Sequence, residues 1–213
     1  MKIQYLGHAC VRLISEIGTT IVCDPYDKDL VGYAMPSFSC DLATISHQHA
    51  DHNCVDALGN LPTVMDCAGT IVLDDVSVTA FETWHDEKQG ALRGANLVFN
   101  FSIDALRVAH LGDLGEVNTQ IAEKLAGTNV LIIPVGGNYT IDAKSAKWYV
   151  DKIAPQIVVP IHYSQGGSID IARVEEFTKL FDQKDVVWAT DFYNVDDIDE
   201  NTTKIVVISR IED

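Results

Sequence analysis

The sequence predicts an α/β (α+β) fold in which sheets and helices form layers. Short apolar or alternating runs, typical of strands, crowd the first half of the chain. In the second half such runs alternate with three amphipathic stretches, and several runs are continuously apolar, as in strands covered on both faces. Together these patterns indicate sheets with helices packed on their outer faces.

The predicted elements follow one another along the chain with Gly, Asp, Asn and Pro residues between them. Strands are predicted at residues 3–6, 9–14, 19–23, 42–46, 70–73, 76–81, 97–103, 105–111, 130–135, 157–161, 185–190 and 204–209. Helices are predicted at residues 117–126, 142–153 and 170–181. For the middle helix, Thr140 can cap the start and Pro155 follows the end.

The length and composition predict a single domain over residues 1–213 that folds alone or as a simple homo-oligomer. The 31 Asp+Glu against 15 Lys+Arg give a formal charge of -16, which repels polyphosphate backbones and anionic membrane surfaces. Neither nucleic acid nor a membrane is therefore expected as a partner. The amino terminus lacks a signal-peptide pattern and five cysteines form no CxxC pair, so a reducing cytoplasm is the predicted location.

The stretch "TISHQHADHN" at residues 44–53 concentrates potential metal ligands. His47 and His49 are two apart in an extended segment and point the same way, whereas the following turn can aim Asp51 and His52 elsewhere. This arrangement suits two adjacent metal centres better than one. A merely structural loop has no need for three imidazoles, and buried polar groups without partners are costly. Imidazole and carboxylate predict zinc, with manganese or iron as alternatives.

Three further ligands are expected after later strands. They are His85 in "FETWHDEKQG", Asp113 in "VAHLGDLG" and His162 in "VVPIHYSQGG". A carboxylate can bridge two cations, so Asp113 is the natural shared ligand. Two such cations can lower the pKa of bound water from about 15.7 towards about 7 and thereby provide hydroxide. Asp51 is then both a ligand and the expected proton acceptor.

The motif HxHxDH and the ligands that follow it closely resemble the metallo-β-lactamase superfamily. Further likeness runs from "YLGHACVRL" and "VCDPY" to "PIHY", which is most of the chain. The resemblance implies a four-layer αββα sandwich of two similar halves, with a dinuclear site at one edge. It also implies the ligand roles: His47, His49 and His85 at one metal, Asp51, His52 and His162 at the other, and Asp113 bridging.

The stretches "HDEKQGALRG", "HLGDLG" and "PVGGNYTIDA" are similar to short metal-dependent hydrolases related to ascorbate-6-phosphate lactonase. Asp113 stands where one large class of β-lactamases carries cysteine, which favours a lactonase-like hydrolase of a small ester, lactone or phosphodiester. One alternative is a di-iron redox protein, although the glutamate and flavin domain typical of those relatives are absent. Another is a non-catalytic protein of the same fold, although such members have usually lost ligands.

Two residues of the early motifs have alternative roles. The resemblance suggests that His8 and Asp24 approach the site and orient ligand imidazoles. The rival role is hydrogen bonding between two strand ends. His110 precedes Asp113 by three, so on a straight strand it faces away from it, and a structural role is expected.

Four residues are weaker candidates for binding the substrate. Lys88 and Arg93 flank the His85 loop and could hold a substrate phosphate or carboxylate, or could simply lie on the surface. Asn138 and Tyr139 could donate to an oxyanion, or could serve as a turn former and a packing residue. The expected partner is therefore a small molecule, possibly anionic.

Overall fold

The computed structural model describes residues 1–196, 198–199 and 202–211. The strands are β1 (Lys2–Gly7), β2 (Cys10–Ile14), β3 (Thr20–Cys23), β4 (Leu42–Thr44), β5 (Thr63–Met65), β6 (Gly69–Val72), β7 (Val76–Trp84), β8 (Ala95–Ile103), β9 (Leu106–His110), β10 (Val130–Pro134), β11 (Ile157–Ile161), β12 (Val186–Ala189), β13 (Tyr193–Asn194) and β14 (Lys204–Ile208). The helices are α1 (Lys28–Val31), α2 (Thr119–Lys124), α3 (Ala143–Ile153) and α4 (Glu175–Thr178). Each predicted strand is therefore present.

The described strands form two mixed sheets, in the orders β13-β1-β2-β3-β4-β5 and β12-β14-β11-β10-β9-β8-β7-β6. In the first sheet β13, β1, β2 and β3 are antiparallel neighbours, and β3, β4 and β5 are parallel. In the second sheet β6 to β9 are antiparallel neighbours, and β9, β10, β11, β14 and β12 are parallel. As a result β1, β3 and β4 share one direction, and so do β7, β9, β10 and β11.

The two sheets face each other across the main hydrophobic core. Strand β3 shows how alternation divides its side chains, because Ile21 and Cys23 join this core whereas Val22 belongs to a smaller cluster on the outer face. Strand β10 is buried along its whole length, and α3 packs over the second sheet through Tyr149 and Val150. The predicted sandwich of sheets and helices is therefore confirmed.

The two outer layers are unequal. The second sheet carries α2, α3 and α4, whereas the first is covered by the single turn α1, a loop with Met35 and Phe38, and the 3₁₀ turn Val55–Ala57. None of the helices in the described residues is long and apolar enough to cross a membrane.

All three predicted helices are present at the predicted places, but their lengths differ from the prediction. Asp142, not Thr140, caps α3 by accepting a hydrogen bond from the Ser145 backbone. Of the helix predicted at residues 170–181, only the four residues of α4 are helical. Residues 170–173 are not helical, because the backbone of Ala172 donates to the Gly136 carbonyl and accepts from the Ser164 N–H in neighbouring loops.

Candidate metal centre

The predicted metal ligands converge at one edge of the sandwich. Each ligand follows the carboxyl end of a strand: residues 47–52 follow β4, and His85, Asp113 and His162 follow β7, β9 and β11. Because these strands run in the same direction within each sheet, their ends bring distant parts of the sequence to one place.

A first cluster contains His47, His49 and His85, whose candidate ligand atoms all lie within 4.8 Å of one another. His47 and His85 are buried, while His49 is exposed to the cavity above. The ring centroids of His47 lie 4.6 Å from those of both His49 and His85. These three imidazoles can therefore share one cation.

Asp113 lies between this cluster and the remaining histidines. Its Oδ2 atom lies 3.3 Å from Nε2 of His52, 3.3 Å from that of His162, 3.4 Å from that of His85 and 4.0 Å from that of His47. Ligands of a tetrahedral zinc with bonds of about 2.0–2.1 Å are themselves about 3.3–3.4 Å apart. The spacing around Asp113 is therefore that of atoms able to share metal ions.

The donor chemistry of the cluster also fits divalent metal ions. Among the described residues, buried His47 Nε2 and Asp113 Oδ1 have no hydrogen-bond partner, which is costly unless a cation satisfies them. Burial lowers the pKa of His47 to about 3, so its imidazole is neutral and its lone pair is available. Burial also opposes charge on His52, but Asp113 and then Asp24 outweigh it and raise the pKa of His52 well above its usual value. This part of the site thus favours positive charge.

Asp24 orients two of the candidate ligand imidazoles from a fully buried position. Its Oδ2 accepts a hydrogen bond from His52 Nδ1 at 3.2 Å and one from Ser46 Oγ at 2.7 Å. The Ser46 hydroxyl in turn accepts from His47 Nδ1 at 2.9 Å. One carboxylate therefore directs Nε2 of both histidines towards Asp113, which is an orienting role of the kind that the sequence suggested for it.

Ser46 and Asn96 orient residues of the site, although the sequence did not indicate this role for them. Asn96 Oδ1 accepts the backbone N–H of Asp113 at 2.9 Å, and its Nδ2 donates to Leu111 O at 3.0 Å. Gly112 is essential to the same turn, because its φ is +53° and a Cβ atom would lie 2.4 Å from Cβ of Ser46. Ser46 stands next to His47 in the motif, but Asn96 lies within a strand and had no local signal.

His110 has the structural role expected for it. Its Nε2 donates to the Ala9 carbonyl at 3.0 Å, and its Nδ1 accepts the Gly112 N–H at 3.1 Å. The ring is fully buried and thus links the β1–β2 hairpin to the turn that presents Asp113.

His8 directly contacts the candidate ligands, whereas a residue that only orients a ligand would contact the far side of its ring. Its Nε2 is 3.1 Å from His52 Nε2 and 3.2 Å from Asp51 Oδ2, and its ring centroid is 4.3 Å from that of His162. Burial, and after it the neighbouring His162, lowers the pKa of His8 to about 4. A neutral imidazole therefore points into the site.

A cavity of about 540 Å³ opens above the ligands. Besides metal-site residues, its lining comprises Leu30, Arg93, Tyr139, Ser168, Ile169 and Asp170. The Arg93 guanidinium lies 5.4 Å from the ring centroid of Tyr139 and donates to the Asn138 carbonyl at 3.1 Å. The structure therefore brings Arg93 and Tyr139 to the metal cavity.

Lys88 and Asn138 line an adjoining cavity of about 350 Å³ and not the metal cavity. Asn138 has a φ of +61°, and its side chain donates to the Asp170 carbonyl at 3.0 Å, so it shapes a turn. Asp86 organises the loop that carries Lys88 and Arg93. Its carboxylate accepts four backbone hydrogen bonds, from Lys88, Gly90, Leu92 and Arg93.

Comparison with known proteins agrees with this geometry. Residues 2–162 match the family model of the β-lactamase superfamily domain. A UPF0173 metal-dependent hydrolase of Methanospirillum hungatei is 30% identical over 207 residues, covering 86% of this chain and 91% of the relative. A UPF0173 protein of Pyrococcus furiosus is 31% identical over 220 residues, covering 88% of this chain and 93% of the relative.

Among solved structures, a proposed zinc-dependent hydrolase of the metallo-β-lactamase superfamily from Thermotoga maritima superposes with a TM-score of 0.80. The two sequences are 33% identical, and the match covers 97% of each chain. The family model spans most of the chain and both relatives match it over nearly their full length. The chain therefore belongs to the metallo-β-lactamase superfamily, within its group of metal-dependent hydrolases.

Proposed function

We propose that this hydrolase binds two divalent metal ions, zinc in the first place, and cleaves a small ester, lactone or phosphodiester. The observation that carries the proposal is the position of Asp113. Its Oδ2 lies 3.4–4.0 Å from Nε2 of His85 and His47 in the first cluster, and 3.3 Å from Nε2 of His52 and of His162, which form a second cluster. A carboxylate so placed is suited to two cations at once.

The ligand roles divide between the two clusters. One ion would be held by His47, His49 and His85, the other by Asp51, His52 and His162, and both by Asp113. When bound, the two ions would supply hydroxide from water near neutral pH and stabilise negative charge on the scissile group. Asp24 and Ser46 keep the ring nitrogens of His47 and His52 aimed at the ions throughout.

Asp51 is the carboxylate suited to accept a proton. Its side chain is 28% exposed and lines the cavity, whereas that of Asp113 is only 3% exposed. The Asp51 carboxylate is therefore accessible to a substrate or a water, while Asp113 is suited to holding the metal ions. This division assigns proton transfer to Asp51 and the bridging role to Asp113.

The cavity supports a small substrate with an anionic group. Leu30, Ile169 and the ring of Tyr139 offer apolar surface, and Arg93 is the cationic side chain in the described lining. A guanidinium suits a carboxylate or phosphate, so the charged group of the substrate would lie near Arg93. This supports a preference for a small anionic ester, lactone or phosphodiester over a neutral ester.

The test combines metal analysis with a substrate panel. Freshly purified protein should contain about two transition-metal ions per chain, and it should hydrolyse at least one class among lactones, phosphodiesters and thioesters. Asp51→Asn and Asp113→Asn should each lower kcat/KM by about a thousandfold, or about 4 kcal/mol of transition-state stabilisation. Full metal occupancy without activity on any substrate would instead support a non-catalytic protein. An iron absorption band that responds to reduction would support a redox role.

A reducing cytoplasm is the proposed location. Cys10, Cys23 and Cys40 are buried as free thiols, and burial is the largest cause that raises the pKa of each. Such thiols are inert in packing roles and fit a compartment without disulfide formation. A simple homo-oligomer also stays a prediction.

A further inference from the structure

We propose that His8 is a fifth protein ligand at the position of the second metal ion, coordinating through Nε2. The inference rests on the proposed dinuclear centre. The second ion would then have five protein ligands: His8, Asp51, His52, His162 and Asp113. The first ion would have four. The two positions would then differ in coordination number as well as in residues.

The first support is the arrangement of donor atoms. His8 Nε2 lies 3.1 Å from His52 Nε2 and 3.2 Å from Asp51 Oδ2. Because His52 Nδ1 donates to Asp24, Nε2 is the ring atom of His52 that faces His8. Adjacent ligands of a five- or six-coordinate ion with bonds of about 2.1 Å are about 3.0 Å apart. His8 Nε2 therefore has the spacing of a neighbouring ligand to both atoms, while Asp51 Oδ2 and His52 Nε2 lie 3.8 Å apart, as ligands at a wider angle on one ion do.

The second support is the backbone that aims the ring. His8 and His162 both adopt left-handed conformations, with φ of +53° and +51°, which are uncommon for residues other than glycine. The His8 carbonyl accepts the His162 N–H at 2.7 Å, so each conformation supports the other. Tyr33 and Tyr5 fasten His8 further, through hydrogen bonds of 2.8 Å to its N–H and its carbonyl.

The third support is burial. His8 is only 1% exposed and His52 and His162 are equally enclosed, and candidate ligand atoms of all three lie within 4.8 Å of one another. A surface or hairpin residue would have no need to bury a polar ring beside two other imidazoles. The rival role is a hydrogen bond from His8 to Asp51, for which a glutamine amide would be an adequate substitute.

The deciding experiment uses the whole protein loaded with two Co(II) ions and paramagnetic proton NMR. A ligating imidazole shows an N–H resonance with a large shift transmitted through the metal–nitrogen bond, whereas a ring hydrogen-bonded to a ligand feels a weaker through-space shift. His8 is buried, so its ring N–H should exchange slowly. We expect one strongly shifted resonance of the wild type to disappear in His8→Gln while the other resonances remain.

Metal affinity gives an independent measurement. His8→Gln should lower the affinity for one of the two ions by at least about 100-fold, the upper end of what losing an outer partner of a ligand costs. His49→Gln is the matched control, because it should remove a different resonance and weaken the other ion. Thermal melting of the metal-free variants checks that both fold as the wild type does.

The possible outcomes separate this inference from the proposed function. If His8→Gln keeps both ions and the full set of shifted resonances, His8 acts only as a hydrogen-bond donor and the inference is overturned. Wild-type protein that binds fewer than two ions overturns the dinuclear centre itself. If His8→Gln does not fold, the wild type decides. Ligating imidazoles are then counted from the shifted ring C–H resonances as well as the N–H resonances, because the N–H of exposed His49 exchanges with water. Six ligating imidazoles support the inference and five refute it.

Discussion

The floor and the rim of the metal cavity are built in different ways. Floor denotes the buried ligands His47, His52, His85, Asp113 and His162, each at most 8% exposed. Rim denotes Leu30, Arg93, Tyr139 and Ile169, of which Leu30 is 49% and Tyr139 41% exposed. Buried polar side chains orient much of the floor, whereas the Arg93 guanidinium contacts the Asn138 carbonyl and the Tyr139 ring, which is partly exposed. Buried hydrogen bonds therefore hold the floor more firmly than the rim, whose side chains are partly exposed.

The strongest test of a rigid floor is Asp24→Asn. The variant keeps the shape of the side chain but removes the charge that accepts from His52 and Ser46. Because both His52 and His47 lose their orienting partner, the affinity for each metal ion should fall about 10–100-fold. Chelator competition on the purified protein measures the two affinities. Unchanged affinity at both positions would show that packing alone holds the imidazoles.

Ser46→Ala is the matched control for Asp24→Asn. The Ser46 hydroxyl reaches only one ligand ring, that of His47. We expect the first ion to be weakened by a smaller factor, and the second ion to keep its affinity. An equal loss of affinity for both metal ions would mean that Ser46 acts by holding Asp24, and not by orienting His47.

The sequence predicted most of the fold because the strands carry strong local signals. Apolar runs located twelve of the fourteen described strands. Strand β5 carries no such run because two of its three residues are exposed, and β13 has only two residues. The helix at residues 170–181 was overestimated for a different reason. Its helical periodicity was outweighed by backbone hydrogen bonds to Gly136 and Ser164, which no local pattern encodes.

The site was predictable to the extent that residue type reveals a role. Histidines and aspartates after strands indicated the ligands, because imidazole and carboxylate have few reasons to cluster there. Of the partners that orient them, Asp24 was suggested by the resemblance, whereas Ser46 and Asn96 are ordinary residue types that no motif marks. Asn96 acts through a hydrogen bond to Asp113, 17 residues away. The contacts of His8 with Asp51 and His52 likewise join residues more than 40 positions apart. Such contacts exist only in the folded chain.

Arg93→Gln tests the rim directly. Loss of a charge-assisted hydrogen bond costs about 1.5–3 kcal/mol, so KM for an anionic substrate should rise at least about 10-fold. The value of kcat should change little, because the metal ions and Asp51 remain. Lys88→Gln is the control, since Lys88 lies in the adjoining cavity and should leave KM within about twofold. Steady-state kinetics with an anionic substrate and its neutral ester distinguish charge recognition from a general loss of binding.

Tyr139 should give the smallest effect, because it acts on Arg93 through its ring. The ring centroid lies 5.4 Å from the Arg93 guanidinium, and the tyrosine is 41% exposed. An exposed cation–π contact is worth about 0.5–1 kcal/mol, so Tyr139→Ala should raise KM for the anionic substrate about two- to fivefold. Tyr139→Phe keeps the ring and should match the wild type in both kcat and KM. A loss of kcat in Tyr139→Phe would instead indicate that the hydroxyl stabilises the developing oxyanion. Tyr139 would then take part in catalysis itself, together with the metal ions.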